Sequence, residues 1–368
     1  MNKEQEECEM LDLLAIDRFS SSVLFFYIVQ LFLNHATITP LIISAYFLGA
    51  IFSTKLWEYN LIRGRPKVWI LASAILPTTL FCCLALSKTR DVSAWAIVCF
   101  ICGCLKLEIP CSVIMFSKGV NFAIQPCMFV MDSCAYLVII QLMTFPGAAA
   151  YLFSAAFLLQ TGLCIHHVLR IDLIPAIPVF LPQPRELDPL FTSIKGLVEF
   201  NSFAQYSILT YSVVFIFERS GYAIALYAFL GGAAVTLLGY NQIRTEKVAV
   251  YLGYSASAYF LCAILSCILF ASRASFVYHE LILAFAVLVS AITTNYPVLL
   301  LNELKIGIHT QTSEHLQIQF VSRTVAMIVT WTMLSVQFIA PYIIISFSLL
   351  SVVSHYQDSY LLKLNSQK

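Results

Sequence analysis

Apolar runs of about twenty residues follow one another along most of the chain, broken by short stretches of charge, proline or glycine. "VWILASAILPTTLFCCLALS", from Val68 to Ser87, and "LILAFAVLVSAITTNYPVLLL", from Leu281 to Leu301, contain no Asp, Glu, Lys or Arg. Neither run alternates with the period of two that marks a half-buried strand. About twenty apolar residues are what a helix needs to cross hydrocarbon. Read this way, the pattern predicts twelve helices, at 18–36, 39–57, 68–87, 93–117, 122–145, 148–168, 196–217, 221–242, 247–271, 279–302, 316–338 and 341–356. The longest break, "RIDLIPAIPVFLPQPRELDPLF" from Arg170 to Phe191, carries prolines that forbid continuous helix. It lies at mid-chain and divides the spans six and six.

Composition turns this pattern into a class. The 368 residues are 60% hydrophobic and 11% charged, whereas soluble domains carry roughly a quarter charged residues. The expected fold is an all-α polytopic membrane protein. The acidic start, "MNKEQEECEMLDLLAID", lacks the basic region and small-residue cleavage site of a secretory signal. Most cysteines, among them Cys82, Cys83, Cys99, Cys102, Cys104 and Cys134, fall inside apolar runs, where cysteine behaves as a small hydrophobe. The CxxC within "CFICGC" has no second Cys or His pair at matching spacing, so neither a metal site nor any cofactor is expected.

Loop charge orients the spans. With the N-terminus in the cytoplasm, fifteen Lys and Arg residues fall on the cytoplasmic side. Only Lys88, Arg90, Arg219 and Arg273 fall on the other, while Lys106 and Arg323 lie within spans. Both termini and the mid-chain break are therefore expected inside, in a plasma membrane or a bacterial inner membrane.

The two halves also repeat. "FLGAIFSTKLWEYNLIRGRPKV" from Phe47 to Val68 returns as "FLGGAAVTLLGYNQIRTEKV" from Phe229 to Val248. Ile16–Val23 pairs with Val198–Ala204, setting Asp17 against Glu199. Pro110 pairs with Pro297, and "FVMDS" (Phe129–Ser133) pairs with "FVSRT" (Phe320–Thr324), setting Asp132 against Arg323. Six helices per half give the copies one orientation, a parallel repeat about an axis along the membrane normal. The expected domains are an acidic segment 1–17, a six-helix bundle 18–168, a proline-rich linker 169–195, a second six-helix bundle 196–356 and a tail 357–368.

This arrangement resembles the major facilitator superfamily of secondary transporters, whose turn between helices 2 and 3 reads roughly G-x-L-a-D-R-x-G-R-R/K. Gly64, Arg65 and Lys67 match its end, Leu61 stands where it has Asp, and Arg244 and Lys247 keep the charge in the second copy. The resemblance implies that these residues form a gating turn. It further implies that helices 1, 4, 7 and 10 line a cavity, flanked by helices 2, 5, 8 and 11. As plain topology signals beside anionic headgroups, the same basic residues need no gating role.

Ionisable residues inside spans cost at least about 2.5–3.5 kcal/mol on insertion scales and mark candidate sites. Lys106 and Glu108 lie in helix 4, Asp132 in helix 5 and Arg323 in helix 11. Lys106 and Glu108 are two apart and face differently, so they do not pair directly. Lys106 and Glu108 are candidate solute contacts, and Asp132 and Arg323 candidate proton-coupling residues or a structural charge lock. Gln30 with Asn34, Asn201 with Gln205, and Thr293 with Asn295 add polar groups that suit either a solute or interhelical hydrogen bonds.

No P-loop, GxSxG, HExxH or glycine-rich dinucleotide turn is present, and no enzyme activity is expected. The expected function is a secondary active or facilitative transporter of a small polar, anionic or amphipathic solute by alternating access, with proton coupling as one option. The partners expected are a small-molecule solute and the lipid bilayer, with no nucleic acid, and a monomer is the expected state. Two alternatives fit the same residues: a transporter-like sensor or scaffold, and a transporter of a lipid such as a lysophospholipid.

Overall fold

The computed structural model describes residues 39–62, 66–107, 149–170, 248–272 and 308–335, with individual positions in 12–38 and 278–356. Six helices carry most of them: α1 Thr39–Ile62, α2 Pro66–Ser87, α3 Val92–Cys104, α4 Ala149–Arg170, α5 Val248–Ala271 and α6 Ile308–Ser335. Described positions between 12 and 31 are helical too. The chain forms two compact units. The first holds Met1–Phe32, Leu41–Gln183 and Gly307–Thr324, and the second holds Leu33–Pro40, Pro184–Ile306 and Val325–Lys368.

Local chemistry sets several helix ends. Pro66 opens α2, a position where its missing N–H is no loss and its fixed φ already suits a helix. α3 starts at Asp91, whose carboxylate accepts from the Ser93 N–H at 3.0 Å, the usual N-cap arrangement. The Trp95 indole donates to the Thr89 carbonyl at 3.0 Å, tying this loop to the helix it precedes. Lys88 takes φ 53° in the same loop.

α2, α4 and α5 match their apolar runs closely, and α1 starts with its run but continues to Ile62. Two helices depart further. α6 begins at Ile308, eight residues before the apolar run that announces it. Its first turns, "IHTQTSEH", are too polar for hydropathy to detect, yet nothing in them breaks a helix. Hydropathy predicts a helix 4 over 93–117, but α3 ends at Cys104. Further along the run, Pro110 would take from a continuous helix the hydrogen bond to the Lys106 carbonyl. Leu105 leaves helical geometry at φ −105°, ψ 18°, and the Lys106 N–H shortens its reach to the Gly103 carbonyl at 3.2 Å.

In the first unit, α2 packs along α4 and also touches α3. Phe81 of α2 stacks on Phe157 of α4, ring centroids 4.3 Å apart, and meets Tyr27 and Trp95 edge-on. Polar contacts reinforce the α2–α4 seam: the Thr78 and Thr161 hydroxyls lie 2.6 Å apart, and Thr161 also donates to the Ala74 carbonyl at 3.2 Å. An interhelical hydrogen bond in a membrane averages about 0.6 kcal/mol. Thr78→Val should therefore lower stability by roughly that amount in a detergent unfolding titration; a loss of several kcal/mol would show that the pair does more than join two helices.

α1 and α3 approach more closely still. A Cβ added at Gly49 would overlap the Phe100 carbonyl oxygen and stand 2.9 Å from the Cys104 nitrogen. One added at Gly103 would overlap the Tyr46 carbonyl oxygen and stand 3.0 Å from the Ala50 nitrogen. Two glycines thus let two backbones touch, the usual device for close helix approach in lipid. In the second unit, α5 buries Ser255, Ala256, Tyr259, Cys262 and Ala263 and exposes Tyr254, Phe260, Leu261, Ile264, Leu265 and Ile268. An apolar outer face is what hydrocarbon surroundings favour.

Candidate functional site

The end of α3 places the site. Lys106 follows the last turn of that helix, and its side chain is only 2% exposed. A helix C-terminus concentrates unsatisfied carbonyls and favours a nearby cation. Two aromatic faces add to this: the Lys106 ammonium lies 5.4 Å from the centroid of Tyr46 on α1 and 5.5 Å from that of Phe320 on α6. Such contacts strengthen as the cation loses water, reaching about 2 kcal/mol when desolvated.

Arg323 joins the same group. It is 8% exposed, three residues along α6 from Phe320 and therefore on the same helix face. Its guanidinium carbon lies 5.5 Å from the Phe320 centroid and 5.8 Å from that of Phe47. Tyr46 and Phe47 meet edge-on at 5.6 Å. Neighbouring aromatic residues of α1 and one of α6 thus hold two cations, with Phe320 common to both. Lys106 and Arg323, each recognisable in the sequence from the cost of charge within spans, are brought together.

A third buried ionisable residue is Asp17, 7% exposed. It sits one residue before the predicted start of helix 1, where hydropathy assigns it to the acidic surface segment. Its backbone carbonyl accepts from the Ser21 hydroxyl at 2.9 Å, and that hydroxyl lies 2.8 Å from the Tyr46 hydroxyl. One turn of helix 1 is thereby linked through Ser21 to the aromatic residue beneath Lys106. The pairing of Asp17 with Glu199 in the repeat is the sequence signal that points to it.

Glu108, Gln30, Asn34, Asn201, Gln205, Thr293, Asn295 and Asp132 lie outside the described residues, as do Gly64, Arg65, Arg244 and Lys247. Lys67 falls in the first turn of α2, its side chain likewise outside the description. The described cysteines are free thiols, and among the described residues no three His, Cys, Asp or Glu side chains gather where they could hold a metal ion.

No protein-family model matches the sequence, and no curated protein matches it. Solved structures do resemble the fold. A D-xylose–proton symporter is similar with a TM-score of 0.68 at 14% identity, over 96% of this chain and 98% of its own. An auto-inhibited POT family peptide transporter gives 0.66 at 11% identity, over 98% and 97%. A bacterial homologue of the iron transporter ferroportin, outward-facing with soaked iron, gives 0.63 at 12% identity over 100% of both chains. The chain is an all-α, multi-pass integral membrane protein with the major facilitator fold.

Proposed function

We propose that this protein is a secondary active or facilitative transporter that carries a small anionic solute by alternating access, with both termini in the cytoplasm. The observation that carries the reading is the buried Lys106 just past the C-terminal end of α3, between Tyr46 and Phe320 and beside Arg323. Helix ends inside a membrane are where transporters of several folds bind solutes. The ammonium of Lys106 and the planar guanidinium of Arg323 are the cations that suit recognition of an oxyanion. The similar structures, all transporters, support the general class.

The test is uptake by the purified chain in liposomes, across a panel of carboxylates, phosphates, sugars, amino acids and lysolipids. Saturable uptake of an anion, abolished in Lys106→Ala, is expected. Failure to move any of the panel, with the protein folded, would favour the sensor or scaffold. Leu61 in place of the turn's Asp is the residue that keeps that reading in play.

Asp17, a carboxylate buried at the start of helix 1, joins Asp132 as our choice for the coupling group. Asp17→Asn holds the neutral form permanently. Uptake down a solute gradient should persist in this variant, while stimulation by an imposed pH gradient should fall at least tenfold. Undiminished stimulation would remove Asp17 from the coupling step.

A further inference from the structure

An uncharged face of helix 1 bears on how Lys106 is held. Ser21 is 7% exposed, and its hydroxyl lies 2.8 Å from that of Tyr46, itself 2% exposed. A hydroxyl carries one proton, and Ser21 gives its own to the Asp17 carbonyl at 2.9 Å. Tyr46 is therefore the donor between the two hydroxyls. Phe25, four residues after Ser21 and so on the same face of helix 1, meets the Tyr46 ring edge-on, with centroids 4.8 Å apart and planes at 85°. One helix face thus fixes that ring at two points, its hydroxyl tip and its flank. The Lys106 ammonium stands 5.4 Å from the centre of the same ring. A ring attracts a cation over its face, so a ring that tilts carries the favoured ammonium position with it.

Resting on the anionic reading above, we infer that Ser21 is a positioning residue for the solute site: its hydroxyl fixes the tilt of the Tyr46 ring, and the ring sets where the Lys106 ammonium stands when an oxyanion binds. Ser21 itself does not touch the solute. Other contacts of Lys106 leave this constraint in place, since the ring bears on the ammonium from one side whatever stands on the others. A serine that only ties helix 1 to α1 contributes stability and nothing else. A positioning serine also contributes affinity, because a hydrogen bond from the ammonium to a bound oxygen weakens steeply as the donor moves off line.

The experiment is thermal-shift titration of the full chain in detergent, at constant ionic strength, with acetate, succinate, inorganic phosphate and D-glucose. The wild type should give a saturable shift with at least one of the anions and none with glucose. For that anion, Ser21→Ala and Tyr46→Phe should each raise the midpoint about fivefold, the scale of one hydrogen bond. The double variant should go no further than either alone, because both changes remove the same bond. Ser21→Thr keeps the hydroxyl and should stay close to the wild-type midpoint. Tyr46→Leu removes the ring face as well as its tip and should exceed Tyr46→Phe. Thr78→Val is the control: it breaks a buried hydroxyl pair that joins α2 to α4, so it should lower the melting temperature and leave the midpoint unchanged.

Unchanged midpoints in Ser21→Ala and Tyr46→Phe, with only the melting temperature lowered, would make the bond a strut between helices and overturn the inference. Losses that multiply to about twenty-five-fold in the double variant would overturn it too, since the two residues would then act separately. Should Tyr46→Phe fail to fold, Ser21→Ala and Ser21→Thr decide the matter, and equal midpoints in those two overturn it. Anion binding that ignores Ser21 sinks this inference alone. Binding of none of the anions by the folded wild type sinks the anionic reading of the function, and this inference with it.

Discussion

Gly103→Ala should lower the melting temperature of the purified protein more than any other single-methyl addition in the described helices. The new Cβ has no side chain to push aside. It meets backbone, overlapping the Tyr46 carbonyl oxygen and standing 2.9 Å from its carbonyl carbon. Overpacking of this kind costs about 1–3 kcal/mol where side chains can yield, and the upper end or beyond is expected where they cannot. Gly49→Ala should behave alike, since its Cβ meets the Phe100 carbonyl from the other helix. The double variant should cost clearly less than the two single losses combined, because a seam already forced open by one methyl accommodates the second. Gly162 on α4 and Gly253 on α5 are the controls. A Cβ at either meets nothing within 4 Å, so alanine there should be neutral or stabilise by up to about 1 kcal/mol through helix propensity. Equal effects at all four glycines in thermal unfolding would mean that the α1–α3 contact is not the close one described.

The same contact shows what the sequence can and cannot say. Phe47-Leu48-Gly49 is conspicuous because Phe229-Leu230-Gly231 repeats it, and the repeat identifies a corner shared by two halves. It does not identify Gly49 as the point where two backbones meet, because the partner, Gly103, lies 54 residues on and has no periodic signature. The helices themselves are legible wherever apolarity coincides with helix. α2, α4 and α5 end within about two residues of the predicted bounds. The polar start of α6 and the end of α3 at Cys104 are not legible from hydropathy, because the first is a helix without apolarity and the second falls inside an apolar run.

The site divides in the same way. Lys106 and Arg323 stand out because charge in hydrocarbon is expensive wherever it points. Their meeting through Phe320 depends on where α3 ends and on helix 11 lying beside helices 2 and 4, which are facts of packing. Tyr46, Phe47 and Phe320 are three aromatic residues in a chain with 28 Phe and 18 Tyr, and nothing in the sequence separates them from lipid-facing rings. Asp17 is hidden because hydropathy starts helix 1 at 18, whereas described positions from 12 onward are already helical. A carboxylate just outside a span reads as surface, and one turn further in it reads as a site.

Lys106→Met separates a solute site from a structural lock, and it should weaken anion binding more than Arg323→Lys or Phe320→Leu does. Methionine fills a similar volume without charge. If Lys106 served mainly to hold one conformation through an ion pair, removing it would strand the partner's charge in a buried setting, at about 3–5 kcal/mol. On the solute-site reading, the surroundings that matter are the C-terminal turn of α3 and the faces of Tyr46 and Phe320. Methionine packs well against these rings. On that reading the melting temperature of Lys106→Met should fall by far less than the stranding of a partner's charge would cost. Anion binding should weaken by about 2–5 kcal/mol, roughly thirtyfold or more, because a bound oxyanion would lose its buried countercharge. Each hypothesis puts the larger loss in a different readout, so thermal unfolding and an anion titration on one variant decide between them. Loss of stability with binding intact would make Lys106 a strut of the fold, and the solute would have to be sought elsewhere.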